Sequence, residues 1–136
     1  MSTKLHSHRH CVYSINLHIV FVTKYRRKVI TKDVLKRLEE VFSRLCENQK
    51  SKLVEFGGEA DHVHLLVDLS PDVAVSKLVN TLKTISSRLI RKEFAEHVAQ
   101  FYWKPVFWTG AYCAISAGGA PLEVLKSYIQ NQEEPE

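Results

Sequence analysis

No acidic residue occurs before Asp33, cysteine is sparse, and no apolar run approaches the length of a bilayer span. Each absence excludes something. The three cysteines, Cys11, Cys46 and Cys113, are odd in number, far apart and set among apolar neighbours. That argues against a disulfide framework or a thiolate zinc site and leaves them as small buried hydrophobes. The strand-like apolar runs are broken by His, Asn, Lys or Asp within about ten residues, well short of a membrane helix. The first ten residues contain no apolar core, so no signal peptide is expected and a cytoplasmic location is the simplest reading. With His6, His8 and His10 in alternation, residues 1–10 are expected to form a mobile N-terminal arm ahead of one domain over 11–136.

The charge that is present is segregated. Lys4, Arg9, Lys24, Arg26, Arg27, Lys28 and Lys32 all precede the first acid, and a second acid-free stretch carries Lys77, Lys83, Arg88, Arg91 and Lys92. The acids gather at Glu39, Glu40 and Glu47 and in the tail from Glu133 to Glu136. Such a distribution suits a polyanion on one side of the molecule, and equally two solvated faces.

Periodicity supplies the elements. From Val12 to Val22 the odd positions Tyr13, Ile15, Leu17, Ile19 and Phe21 are apolar, which predicts a long half-buried strand with His18 on its more polar face. Val34, Leu35, Leu38, Val41, Phe42 and Leu45 predict a helix to about Glu47. Lys52 to Glu59 and His62 to Leu69 read as an antiparallel hairpin, with Gly57 and Gly58 marking a bulge or a close backbone approach. Ser70-Pro71-Asp72 breaks the strand pattern and offers a helix start, with an apolar stripe from Val75 down to about Phe94; then come a strand around Ala111 to Ser116 and a helix from Leu122 to about Gln132. Trp103 and Trp108 read either as core anchors or as stacking platforms, with core or sheet-edge packing favoured. The order β-α-β-β-α-β-α predicts an α+β fold. Its plan is ferredoxin-like or RRM-like: an antiparallel sheet with helices on one face and a final helix that carries Tyr128.

Asp61-His62-Val63-His64 stands out from this frame. On a strand, His62 and His64 project to one face while Val63, Leu65 and Val67 point to the other. Two imidazoles supply at most two ligands to a metal ion. Tyr128 and Gln132, four apart on one helix, would add a phenol and an amide oxygen. On spacing alone these remain open to a plainer reading, a satisfied polar pair on a sheet and a common helical pair.

Asp61-His62-Val63-His64 also resembles the histidine, hydrophobe, histidine (HUH) motif. Tyr128-Ile129-Gln130-Asn131-Gln132 is similar to the single-tyrosine helix of the small HUH transposases of bacterial insertion sequences, the TnpA type. Lys24-Tyr25-Arg26-Arg27-Lys28-Val29 and Gly118-Gly119-Ala120-Pro121-Leu122 resemble the family's sequence at the same places, and the likeness runs from about Val12 to Gln132. Thr23 and Ala117 stand where other small residues would be half expected.

The resemblance implies that His62, His64 and Gln132 hold Mg2+ or Mn2+ and that Tyr128 is the nucleophile. Magnesium favours oxygen ligands whereas two imidazoles suit manganese better, so the choice of ion stays open. It implies cleavage and rejoining of single-stranded DNA through a 5′-phosphotyrosine, recognition of hairpins at the element ends, and a homodimer whose tyrosine helix completes the partner's site. The Gly118-Gly119 pair would be its hinge. Lys24, Tyr25, Arg26, Arg27, Lys28, Lys83 and Arg88 are the expected DNA-binding residues. Two alternatives are a domesticated relative acting on repeated palindromes and a non-catalytic RNA- or DNA-binding regulator.

Overall fold

The computed structural model describes residues 5–8, 11–117 and 122–132. Its elements are β1 (His6–His8), β2 (Cys11–Tyr13), β3 (Asn16–Val22), a 3-10 turn at Lys24–Arg26, α1 (Lys32–Asn48), β4 (Lys52–Glu59) and β5 (His62–Asp68). There follow α2 (Val75–Glu93), α3 (Ala95–Val98), β6 (Cys113–Ser116) and α4 (Leu122–Gln130).

Four strands form one sheet in the order β4-β5-β3-β6, and every neighbouring pair is antiparallel. This is the expected ferredoxin-like plan. Alternation sets its two faces. Ile19, Phe21, Val63, Leu65 and Val67 pack under α1 and α2 in the main core, while Val20 and Val22 meet Tyr128 and Ile129 of α4 on the reverse face. The helices α1 and α2 therefore share one face, and the tyrosine helix lies on the other.

α1 begins where Thr31 accepts a hydrogen bond from the Val34 amide at 3.3 Å, a cap worth about 1 kcal/mol. Its stripe of Val34, Leu38, Val41, Phe42 and Leu45 is buried. Phe21, Phe42 and Trp108 meet at the centre, with ring centroids 5.6 to 6.5 Å apart. The buried indole of Trp108 donates to Ser86 Oγ of α2 at 2.9 Å, so its polar atom is satisfied inside the core.

Several expectations are refined. The long first strand divides at Ser14 and Ile15, because Cys11–Tyr13 pairs with His6–His8 instead of continuing in the main sheet. Residues 6–8 of the expected mobile arm thus form a strand. His6 stacks on Tyr13 and hydrogen-bonds to Asp68, which tethers this hairpin to the sheet. Residues 1–4, 9 and 10 of that arm, and the Gly118-Gly119 hinge, lie outside the described residues. The helix predicted to end near Phe94 stops at Glu93 and is followed by a separate short turn of helix. Trp103 is not in the core or at a sheet edge: it is 99% exposed.

The two glycines of β4 prove to be sites of close approach, and the strand's register shift falls earlier, between Leu53 and Glu55. That shift turns Glu55, Gly57 and Glu59 to the same face as His62 and His64.

Candidate active site

The reverse face of the sheet carries a cleft of about 590 Å³ between the strand histidines and one side of α4. His62 and His64 lie together in it, as two same-face positions of β5 must, and His18 of β3 joins them. Alternation had put His18 on this face, but only the pairing of β3 beside β5 brings it to the same cleft.

His62 is buried, and its Nδ1 lies 2.9 Å from Asp61 Oδ1. With the carboxylate accepting there, Nε2 is the ring nitrogen left toward the cleft, 3.9 Å from Glu59 Oε2. Asp61 also faces Arg26, whose guanidinium is 3.4 Å from Oδ2.

His64 rests against Gly57. A Cβ at that glycine would stand 2.9 Å from Nε2 and 3.0 Å from Cε1 of the ring, so the absence of a side chain is what makes room for it. Burial, then the nearby His62 and His18, hold the His64 pKa below the usual imidazole value, which favours the neutral form a metal ion requires.

The α4 side of the cleft is formed by Lys126, Ile129 and Gln130. Tyr128 and Gln132 do not face into it. Tyr128 is half-buried against Val20, Val22, Cys113 and Ile115, and its hydroxyl has no hydrogen-bond partner among the described residues. Burial, followed by the neighbouring Cys113, pushes its pKa above the usual phenol value, so it rests protonated. The Gln132 amide donates to the Tyr128 carbonyl at 3.1 Å. The structure thus brings together two of the expected metal ligands and leaves the third ligand and the nucleophile beside the cleft.

The chemistry of the two histidines suits a divalent ion: two imidazoles on adjacent same-face positions, one oriented by a carboxylate. Among the described residues no cluster of three or more His, Cys, Asp and Glu is arranged to hold a metal by itself. A further donor would have to come from elsewhere, and an amide oxygen such as that of Gln132 is of the right type.

The expected DNA-binding residues divide. Arg26 lines the histidine cleft, whereas Lys24, Tyr25 and Arg27 line a second one and Lys28 is exposed. Lys83 donates to the carbonyl oxygens of Thr109 and Ala111 at 2.6 and 3.4 Å, and burial lowers its pKa, so its ammonium holds a loop. Arg88 is exposed on α2, and neither it nor Lys83 lines the histidine cleft. Asp61, Glu59, Gly57 and His18 were given no role by motif. For the first three the signal was their nearness to the histidine pair in a hairpin.

The family model described as "Transposase IS200 like" matches residues 11–132. The ISDra2 transposase TnpA of Deinococcus radiodurans is 24% identical over 125 residues, covering 92% of this chain and 89% of that protein. The transposase for insertion sequence element IS200 of Salmonella typhimurium is 28% identical over 125 residues, covering 92% and 81%. A crystal structure from Deinococcus radiodurans R1, described as that of a transposase, superposes with a TM-score of 0.85 at 26% identity over 96% of this chain and 99% of that one. A REP-associated tyrosine transposase bound to a REP hairpin shares the fold, with a TM-score of 0.54 at 11% identity over 95% and 68%.

Proposed function

The chain belongs to the IS200-like transposase family, and on that premise we propose that it cleaves and rejoins single-stranded DNA at insertion-sequence ends through Tyr128. The observation that carries this reading is the single cleft bounded by His62 and His64 on the sheet and by the tyrosine helix opposite.

The Tyr128 oxygen attacks a backbone phosphorus, forming a P–O bond to the phenol as the bond to the upstream O3′ breaks. The phenol gives up its proton as the new bond forms and the departing O3′ takes one up, so the upstream strand leaves as a free 3′-hydroxyl while the downstream 5′-phosphate stays on the tyrosine. A second 3′-hydroxyl reverses the step and joins new ends without ATP, because the ester conserves the bond. His62, His64 and Gln132 would hold Mg2+ or Mn2+, which when bound supplies positive charge to the scissile phosphate. Asp61 orients His62, and Arg26 adds a fixed cation at the cleft.

Tyr128 and Gln132 must turn toward the cleft for this chemistry. Among the described residues, α4 rests on the sheet through Tyr128 and Ile129, against two valines and the edge strand. A homodimer in which α4 completes the partner's site would provide the movement, with DNA hairpins as the recognised substrate and the cytoplasm as the place of action.

End-labelled single-stranded DNA carrying a hairpin, incubated with magnesium or manganese, tests the reading. A covalent protein–DNA adduct is expected, absent in Tyr128→Phe and after chelation. Cleavage that persists in Tyr128→Phe would overturn the nucleophile assignment.

A further inference from the structure

Trp103 and Tyr25 are large aromatic side chains left in solvent, at 99% and 41% exposure, although the chain's other tryptophan is 6% exposed in the core. They face a shared cleft of about 530 Å³ between the 3-10 turn and the loop that follows α3. Lys24, Arg27 and Lys104 complete its rim, Lys24 Nζ lies 5.3 Å from the Tyr25 ring centroid, and no carboxylate lines the cleft among the described residues. Its volume is in the range of small-ligand sites.

The turn is held in an unusual shape. Tyr25 and Arg26 both take left-handed backbone angles, with φ of 59° and 53°, which side chains other than glycine seldom adopt. Thr23 Oγ1 donates to the Arg27 carbonyl at 2.7 Å, and Tyr102 donates to the Lys24 carbonyl at 2.7 Å, so the strain is imposed by buried partners. Its effect is to send successive side chains to different places. Arg26 enters the histidine cleft, while Lys24, Tyr25 and Arg27 enter the aromatic one. One wall therefore serves both clefts.

We propose that Tyr25 and Trp103 form a stacking site for an unpaired nucleobase of the strand whose phosphate lies in the histidine cleft, with Lys24, Arg27 and Lys104 on the adjoining phosphates. The proposal rests on the single-stranded substrate of the reading above. Exposed aromatic faces interleaved with cations match a base and its phosphates, whereas an acidic peptide would give the indole no partner. A second copy of the chain would bring more cations to a cationic rim.

Intrinsic fluorescence separates these occupants, because Trp108 is buried and Trp103 is the tryptophan that meets solvent. The full-length chain is titrated with a twelve-nucleotide oligo-dT and with an abasic chain of equal phosphate count. Oligo-dT is expected to quench the solvent-exposed emission and to bind roughly tenfold or more tightly than the abasic chain. Trp103→Ala should remove the quenching and that advantage while leaving abasic binding unchanged, and it removes no buried contact. Equal binding of the two chains, or oligo-dT affinity unchanged in Trp103→Ala, would overturn the proposal. So would emission that shifts with protein concentration alone and a dimer lost in Trp103→Ala, which would assign the cleft to a second copy. Adduct formation by wild type is scored separately: an adduct without base-dependent quenching refutes the stacking site only, and quenching without an adduct refutes the nuclease reading only.

Discussion

The Asp61 carboxylate accepts a hydrogen bond from Nδ1 of His62 at 2.9 Å and so decides which nitrogen of that ring is offered to the cleft. A neutral histidine has one donor and one acceptor nitrogen, and a carboxylate on Nδ1 leaves Nε2 as the acceptor. Asp61→Ala removes this restraint, and with it one partner of Arg26. Manganese affinity measured calorimetrically is expected to fall about 10- to 100-fold, with the thermal midpoint changed much less. Unchanged affinity would mean that packing alone orients His62.

Adjacent glycines should respond to the same substitution in opposite ways. At Gly57 a new Cβ meets the tip of the His64 ring at 2.9 Å, which can swing aside. Gly57→Ala should therefore change stability by less than about 1 kcal/mol while displacing the ligand and cutting adduct formation at least roughly tenfold. At Gly58 the Cβ would lie 2.5 Å from the His62 carbonyl oxygen and 3.0 Å from Val63 Cα, where backbone must move. Gly58→Ala is expected to lose about 1–3 kcal/mol in a urea melt. Equal melts for the two variants would contradict this contrast.

Burial pushes the Tyr102 pKa up to about 12, and its hydroxyl donates to the Lys24 carbonyl beneath the strained turn. A raised pKa favours the protonated phenol in the folded state. Its stabilisation is complete below the ordinary value near 10 and is lost as pH rises from there towards 12. In that window the folding constant of the wild type should fall up to roughly tenfold per pH unit more steeply than that of Tyr102→Phe. Parallel curves from urea melts at pH 9 and 11 would refute it.

Tyr128 sits on α4 and His64 on β5, so variants of each can test whether the two halves come from one chain. Tyr128→Phe and His64→Ala are each expected to form no adduct alone. A mixture should recover part of the wild-type yield, since one chain supplies the tyrosine and the other the histidines. No recovery, in a mixture shown by cross-linking to contain mixed dimers, would argue for assembly within one chain.

Local pattern was enough to read much of this molecule. Alternation along β3 placed Ile19 and Phe21 opposite Val20 and Val22, the helical stripe of α1 named five of its buried residues along with the half-buried Leu35, and two histidines two apart on β5 had to share a face. These follow from the strand and helix periods, which neighbours along the chain already express. What depended on partners far away was not legible. Pairing with His6–His8 broke the first strand, and the register shift in β4 carried Glu55 and Glu59 to the histidine face. Hydrogen bonds from Thr23 and Tyr102 bent the turn that parts Arg26 from Tyr25. The motif named the ligands and the nucleophile by resemblance, but their orientation is a balance of nonlocal contacts. Here that balance keeps Tyr128 against Val20 and Val22, beside the histidines it is proposed to serve. The sequence by itself determined which residues could form the site. The tertiary structure decided which already meet, because side chains distant along the chain come together only through strand order and register.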